Sequence, residues 1–88
     1  MDIIKDTQFK RDVKLSLKRG KDMSKLKDII DKLFAGEVLP PKNKDHKLKG
    51  VYKDFRECHI EPDWLLIYKI EDDTLFLVRT GSHADLFE

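Results

Sequence analysis

The stretch Phe55-Arg56-Glu57-Cys58-His59-Ile60-Glu61-Pro62-Asp63-Trp64-Leu65-Leu66-Ile67-Tyr68-Lys69-Ile70-Glu71-Asp72-Asp73-Thr74-Leu75-Phe76-Leu77-Val78-Arg79-Thr80 decides the fold. It holds three strand-like runs: Phe55 to Ile60, which mixes apolar and polar residues, and the largely apolar Trp64 to Ile70 and Leu75 to Thr80. Two polar triplets, Glu61-Pro62-Asp63 and Glu71-Asp72-Asp73, separate them. This pattern predicts three strands joined by tight turns. Turns that short allow only an antiparallel return, so the strands form a meander. Trp64-Leu65-Leu66-Ile67-Tyr68 is apolar throughout, as expected of a central strand covered on both faces.

Upstream of the strands the apolar spacing changes to that of helices. Phe9, Val13 and Leu17 recur every four residues, with Lys10, Arg11, Lys14 and Lys18 on other faces. This predicts an amphipathic helix from about Thr7, ended by Gly20. A second helix is expected from about Ser24 to Gly36, with Met23, Leu26, Ile29, Ile30, Leu33 and Phe34 as its buried stripe. The short link between the two predicts an antiparallel helical hairpin. Ile3-Ile4 has the character of an edge strand, and residues 37–50, with Pro40-Pro41 and a polar run, read as a loop. The expected architecture is α+β: one domain over 1–88, with an N-terminal helical hairpin packed on a mostly antiparallel sheet.

Composition narrows the function classes. Hydrophobic and charged residues each make up 40% of the chain. No apolar run approaches the roughly 20 residues that cross a bilayer. The start, Met1-Asp2-Ile3-Ile4-Lys5, does not read as a signal peptide, so a cytoplasmic location without membrane association is expected. Cys58 is the single cysteine, which excludes an internal disulfide framework and a thiolate zinc site. The net charge of +1 conceals a segregation: residues 1–50 carry 14 basic and 8 acidic side chains, and residues 51–88 carry 4 and 9. A basic half of this kind suits a polyanionic partner, with Lys10, Arg11, Lys14, Lys18, Arg19, Lys21, Lys25 and Lys27 as candidate nucleic-acid-binding residues.

The meander gathers chemistry at one end. His59, Asp63, Trp64, Arg79 and His83 fall where the first strand ends, the second begins and the third ends. The alternation expected has Cys58, Ile60, Phe76 and Val78 facing the helices, with His59 and Arg79 on the other face. His46 joins them only if its loop folds back along the first strand. Three histidines in one place suit RNA cleavage by 2′-OH attack on the adjacent phosphate. That reaction needs a base for the hydroxyl proton, an acid for the departing 5′-oxygen and positive charge for the phosphorane. Arg79 can supply that charge, while Trp64 and Phe87 offer faces for an unpaired base. Each piece also has an ordinary structural reading: Trp64 as core, Phe87 as a staple for the C-terminus, Arg79 paired with Glu57. Metal-ligand spacing is missing, so no metal is expected. Cys58 and His59 are adjacent in a strand, which disfavours a thiol–imidazole pair.

Lys44-Asp45-His46-x-Leu-x-Gly50, Phe55 to Trp64 and Arg79-Thr80-Gly81-Ser82-His83-Ala84-Asp85-Leu86-Phe87 together resemble the YafQ branch of the RelE-like bacterial toxins, and the helices fit as well. The resemblance covers essentially the whole chain. It implies a microbial-ribonuclease-like fold and a toxin that cleaves mRNA in the ribosomal A site. It also implies neutralisation by a DinJ-type antitoxin, and no cofactor is expected. Its functional positions match His46, His59, Asp63, Trp64, His83 and Phe87, and Arg79 matches the arginine of the last strand. On this footing His83 is the leading general acid/base, His59 and Asp63 its counterparts, and His46 a phosphate ligand with a further proton-transfer duty. A second class is a ParE-like inhibitor of DNA gyrase, which acts by binding alone; the histidine cluster argues against it. The toxin by itself is expected to be a monomer.

Overall fold

The structure is a computed structural model, and it describes residues 1–87. In chain order the elements are β1 (Asp2–Lys5), α1 (Thr7–Lys18), α2 (Met23–Phe34), a 3₁₀ turn (Pro41–Asn43), β2 (His46–Lys47) and a second 3₁₀ turn (Gly50–Tyr52). Then come β3 (Arg56–Glu61), β4 (Trp64–Glu71), β5 (Thr74–Gly81) and α3 (His83–Phe87). Asp6 and Asp22 cap α1 and α2, each accepting from a backbone N–H two residues on, that of Gln8 and of Ser24. Gly20 and Gly36 follow the helices with φ of 79° and 75°, the left-handed turn that ends a helix most easily at glycine.

The sheet order is β1-β5-β4-β3-β2. The predicted meander is present as β3, β4 and β5, all antiparallel, and β1 joins the edge parallel to β5. Asp72 and Asp73 form the β4–β5 turn with φ of 51° and 58°, the two-residue geometry that matches strand twist. Apolar side chains cover both faces of β4. On the helix side Phe9, Leu26, Ile29 and Leu33 pack against Cys58, Trp64, Leu66, Tyr68, Leu75 and Leu77. On the other side Leu65 and Ile67 are closed by Leu86 of α3 with Leu48, Tyr52, Phe55 and Val78.

Several expectations need correction. Leu17 is 61% exposed and Phe34 is 41% exposed. Each lies eight residues after a buried anchor, Phe9 or Leu26. At 3.6 residues per turn that carries a side chain roughly 80° off the anchor's face. The buried positions of α1 are instead Phe9, Asp12 and Ser16. Residues 37–50 are not wholly loop, because His46 and Lys47 pair with Glu57 and Arg56 as an edge strand. Phe76 and Val78 do not face the helices; Leu75 and Leu77 do. A register shift separates the pairs Ile67↔Arg79 and Tyr68↔Leu77, leaving Val78 as an extra residue in β5. Alternation does not carry across such a bulge, so Arg79 still lies opposite Ile67, on the face away from the helices.

Candidate functional site

The site grows from the ends of β3, β4 and β5. Glu57 and His59 are two apart on β3 and share the face away from the helices, while Cys58 between them is fully buried on the helix side. Burial pushes the Cys58 thiol up to about 12, so it takes no part as a nucleophile. His46 pairs across from Glu57 through β2. One Glu57 carboxylate oxygen, Oε1, lies 3.4 Å from His59 Nε2 and 3.8 Å from His46 Nε2. His46 Nδ1 donates to the Lys44 carbonyl at 2.7 Å, so Nε2 can donate toward Glu57 only when the ring carries both protons.

His83 opens α3 and faces the same cluster. Its ring centroid is 5.7 Å from that of His59. Its backbone N–H and its Nδ1 both donate to Asp63 Oδ1, at 2.9 and 2.6 Å. The bond from the His83 backbone, then that from its ring, holds Asp63 below the usual carboxylate range. An ionised Asp63 accepts the Nδ1 proton and so turns the Nε2 lone pair of neutral His83 outward. Asp63 and His83 thus form an oriented carboxylate–imidazole pair beside a second one, Glu57 and His59.

Two clamps hold the segments that carry these groups. Arg19 reaches from the end of α1 to both carboxylate oxygens of Asp85, at 2.6 and 3.3 Å. Asp85 also accepts from the Ser82 N–H at 2.9 Å, which ties down α3. Lys21 and Lys25 both grip Glu61, at 3.1 and 2.9 Å, just before the Asp63 turn. A third anchor is buried Asn43, whose Nδ2 donates to the His59 carbonyl at 2.7 Å, beside the irregularity between His59 and Glu61.

The expected residues divide. His46, His59, Asp63 and His83 come together. Phe87 is 46% exposed and stands edge-on to Tyr52 at 6.2 Å, at the rim of the same face. Arg79 is on that face too, but its partner is Asp12 of α1, not Glu57. Trp64 is a correction: it is 1% exposed within the helix-side core and presents no free face for a base. Of the eight basic candidates, Arg19, Lys21, Lys25 and Lys27 are engaged in ion pairs. Lys10, Arg11, Lys14 and Lys18 have no ion-pair partner among the described residues. Sequence reasoning missed Glu57 as a site residue, although its two-residue spacing from His59 carries the signal. It also missed Asp12, Asn43 and Tyr52, for which no local pattern exists.

No metal-ligand motif is legible in the chain, yet Glu57, His59 and His83 bring one donor atom each within 4.8 Å of one another. Two imidazoles and a carboxylate fit a divalent transition metal, with Asp63 orienting the His83 ring behind it. The same atoms, free of metal, can accept or deliver protons near neutral pH.

The mostly antiparallel five-stranded sheet with its three helices is the fold of the YafQ toxins, within the RelE-like class. The chain belongs to the YafQ family, described as "Bacterial toxin of type II toxin-antitoxin system, YafQ", which matches residues 1–88. It is 49% identical over 87 residues to the mRNA interferase toxin YafQ of Escherichia coli K12, covering 98% of this chain and 95% of that protein. The crystal structure of E. coli YafQ superposes with a TM-score of 0.95 at 48% identity, over 99% of this chain and 98% of that one. The crystal structure of the E. coli DinJ–YafQ complex matches with a TM-score of 0.93 at 49% identity, over 99% and 98%.

Proposed function

We propose that this chain is a ribosome-dependent mRNA interferase that cleaves mRNA in the ribosomal A site without a metal. The observation that carries the reading is the facing of the two carboxylate–imidazole pairs, Asp63–His83 and Glu57–His59, with rings 5.7 Å apart. In this reading one pair takes the proton of the attacking 2′-OH. The other protonates the 5′-oxygen as its bond to phosphorus breaks. His83 is the leading acid/base, being the most solvent-accessible imidazole of the two pairs. His46 binds the phosphate, Arg79 offsets the charge gathering on it, and Phe87 positions the base. The curated E. coli relative bears the name mRNA interferase, which supports the same chemistry.

The partner in this reading is an antitoxin of the DinJ type, as in the E. coli complex. The toxin alone is a monomer, since the main apolar stripe of α2, Leu26, Ile29 and Leu33, is already spent on the sheet. No helix among the described residues is long and apolar enough to cross a membrane, in keeping with action on ribosomes in the cytoplasm. Primer extension on translated and untranslated mRNA tests the function. Discrete cuts are expected only when ribosomes occupy the message, and they should persist with a chelator selective for transition metals that leaves the magnesium of the ribosomes in place. Intact mRNA together with stalled DNA replication would transfer the protein to the gyrase-inhibitor class.

A further inference from the structure

Asp12 lies on α1 at 6% exposure, among positions that should be apolar, and it accepts four hydrogen bonds. Arg79 Nε donates to its Oδ2 at 2.7 Å and Arg79 Nη2 to its Oδ1 at 3.2 Å. The Thr80 backbone N–H donates to Oδ2 at 3.1 Å, and Gln8 Nε2 to Oδ1 at 3.2 Å. Burying a carboxylate is costly, and replacing a buried ion pair by apolar side chains is often neutral or stabilising. Stability alone therefore gives a weak reason for this pair.

The geometry supplies a stronger one. A guanidinium has five N–H donors in a rigid plane. Asp12 engages the side edge formed by Nε and Nη2. Asp12 does not use the end edge, Nη1 with the second N–H of Nη2; the neutral Tyr52 hydroxyl lies near the guanidinium, and a phosphate, the stronger bidentate acceptor, could take the edge that Asp12 leaves. Arg79 sits next to the bulge at Val78, where the strand itself holds a side chain less firmly, and its side chain is 23% exposed. The Thr80 bond locks Asp12 to the residue after Arg79, so carboxylate and strand move as one body.

We propose that Asp12 is a positioning residue that fixes the Arg79 guanidinium with its end edge presented to the scissile phosphate. This rests on the nuclease reading above, in which Arg79 meets the phosphorane. Asp12 touches no substrate. A neutral partner would leave Arg79 charged but free to turn, and a misplacement near 1 Å can cost about 10²-fold in rate.

The test compares Asp12→Asn, Arg79→Ala, Arg79→Lys and the double variant Asp12→Asn/Arg79→Ala in ribosome-programmed cleavage, with rates normalised to folded protein. Asp12→Asn keeps the size and an acceptor for the Thr80 N–H. It should lower kcat by about 10- to 100-fold with KM nearly unchanged. In the Arg79→Ala background the same change should add little further loss. Arg79→Lys, which retains charge without a planar fork, should behave like Arg79→Ala. Equal losses from Asp12→Asn in both backgrounds would overturn the proposal, as would a stability loss with an unchanged rate per folded molecule. Full activity of Arg79→Lys would overturn it even if Asp12→Asn failed to fold. Full activity of Arg79→Ala would remove Arg79 from the reaction, and the proposal with it, while leaving the histidine-based cleavage standing.

Discussion

At the scale of single residues, the side chains that matter most are those with two partners at once. Glu57 is 5% exposed and places one oxygen between two imidazoles. His83 spends Nδ1 on Asp63, which leaves Nε2 for the acid/base role proposed above. We expect His83→Ala and His59→Ala each to reduce cleavage about 10²- to 10⁴-fold, the usual worth of an acid/base group, while circular dichroism stays native. An unchanged rate in folded His83→Ala would remove it from the mechanism. Zinc(II) should inhibit, because a metal held by Glu57, His59 and His83 would occupy the lone pairs that carry protons. Trp64 behaves in the opposite way. Its ring is core and its Nε1 finds no acceptor among the described residues. Trp64→Phe should therefore cost a few kcal/mol of stability at most and leave the rate per folded molecule within a few-fold of the parent. A loss of 10² or more in folded Trp64→Phe would restore a direct role in base recognition.

Among the elements, α3 is the most dependent on others. It has five residues, too few to be stable alone, and it carries both His83 and Phe87. Leu86 anchors it to the sheet, and the Arg19–Asp85 fork ties it to α1. Arg19, then the Ser82 N–H, draws the Asp85 carboxyl down to about 2. Its folded pKa lies below its unfolded one. The stabilisation is therefore complete above about pH 4 and disappears as pH falls toward 2. The exchange protection of the Leu86 amide, which donates to the Ser82 carbonyl, should fall over that window once the intrinsic rate is divided out, and Asp85→Asn should abolish that fall. Gly81→Ala probes the same joint sterically. A Cβ there would lie 2.9 Å from Asp85 Oδ2 and 3.0 Å from its Cβ, so α3 must shift. A cost of about 1–3 kcal/mol in denaturant titration is expected, with a parallel fall in cleavage. Unaltered stability and activity would show that α3 tolerates displacement.

On the scale of the whole molecule, the charge segregation seen in the sequence becomes a surface. The exposed cations Lys10, Arg11, Lys14 and Lys18 lie on α1 and take part in none of the ion pairs among the described residues. The remaining basic candidates are partly neutralised by Glu61, Asp85 and Asp31. Docking on ribosomal RNA should therefore depend on α1. Each phosphate contact contributes a slope of about −0.7 to −0.9 in log K against log salt, so reversing Lys14 and Lys18 to Glu should weaken ribosome binding and flatten that slope. Sedimentation with ribosomes across a salt series measures both. Affinity indifferent to salt and to the reversals would exclude this surface from docking.

The amino-acid sequence by itself determined the elements and their order. Period-two and period-four apolar spacing, tight acidic turns and helix-ending glycines are local signals, and each acts over a few residues. That is why the meander, both helices and the gathering of His59, Asp63 and His83 are legible in the sequence. Strand direction places those three at one end whatever the rest of the chain does. Tertiary structure decided which polar groups were drawn inward. Asp12 is ordinary on a helix and becomes a buried acceptor only because α1 lies against β5, 68 residues away in sequence at Thr80. Glu57 meets two imidazoles because β2 pairs beside it, a two-residue strand with no pattern of its own. Trp64 lies in the core because it shares the helix-side face of β4 with Leu66 and Tyr68, which α1 and α2 cover, and Val78 left the expected alternation because of a bulge. These are outcomes of long-range packing and register, and no window of neighbouring residues encodes them.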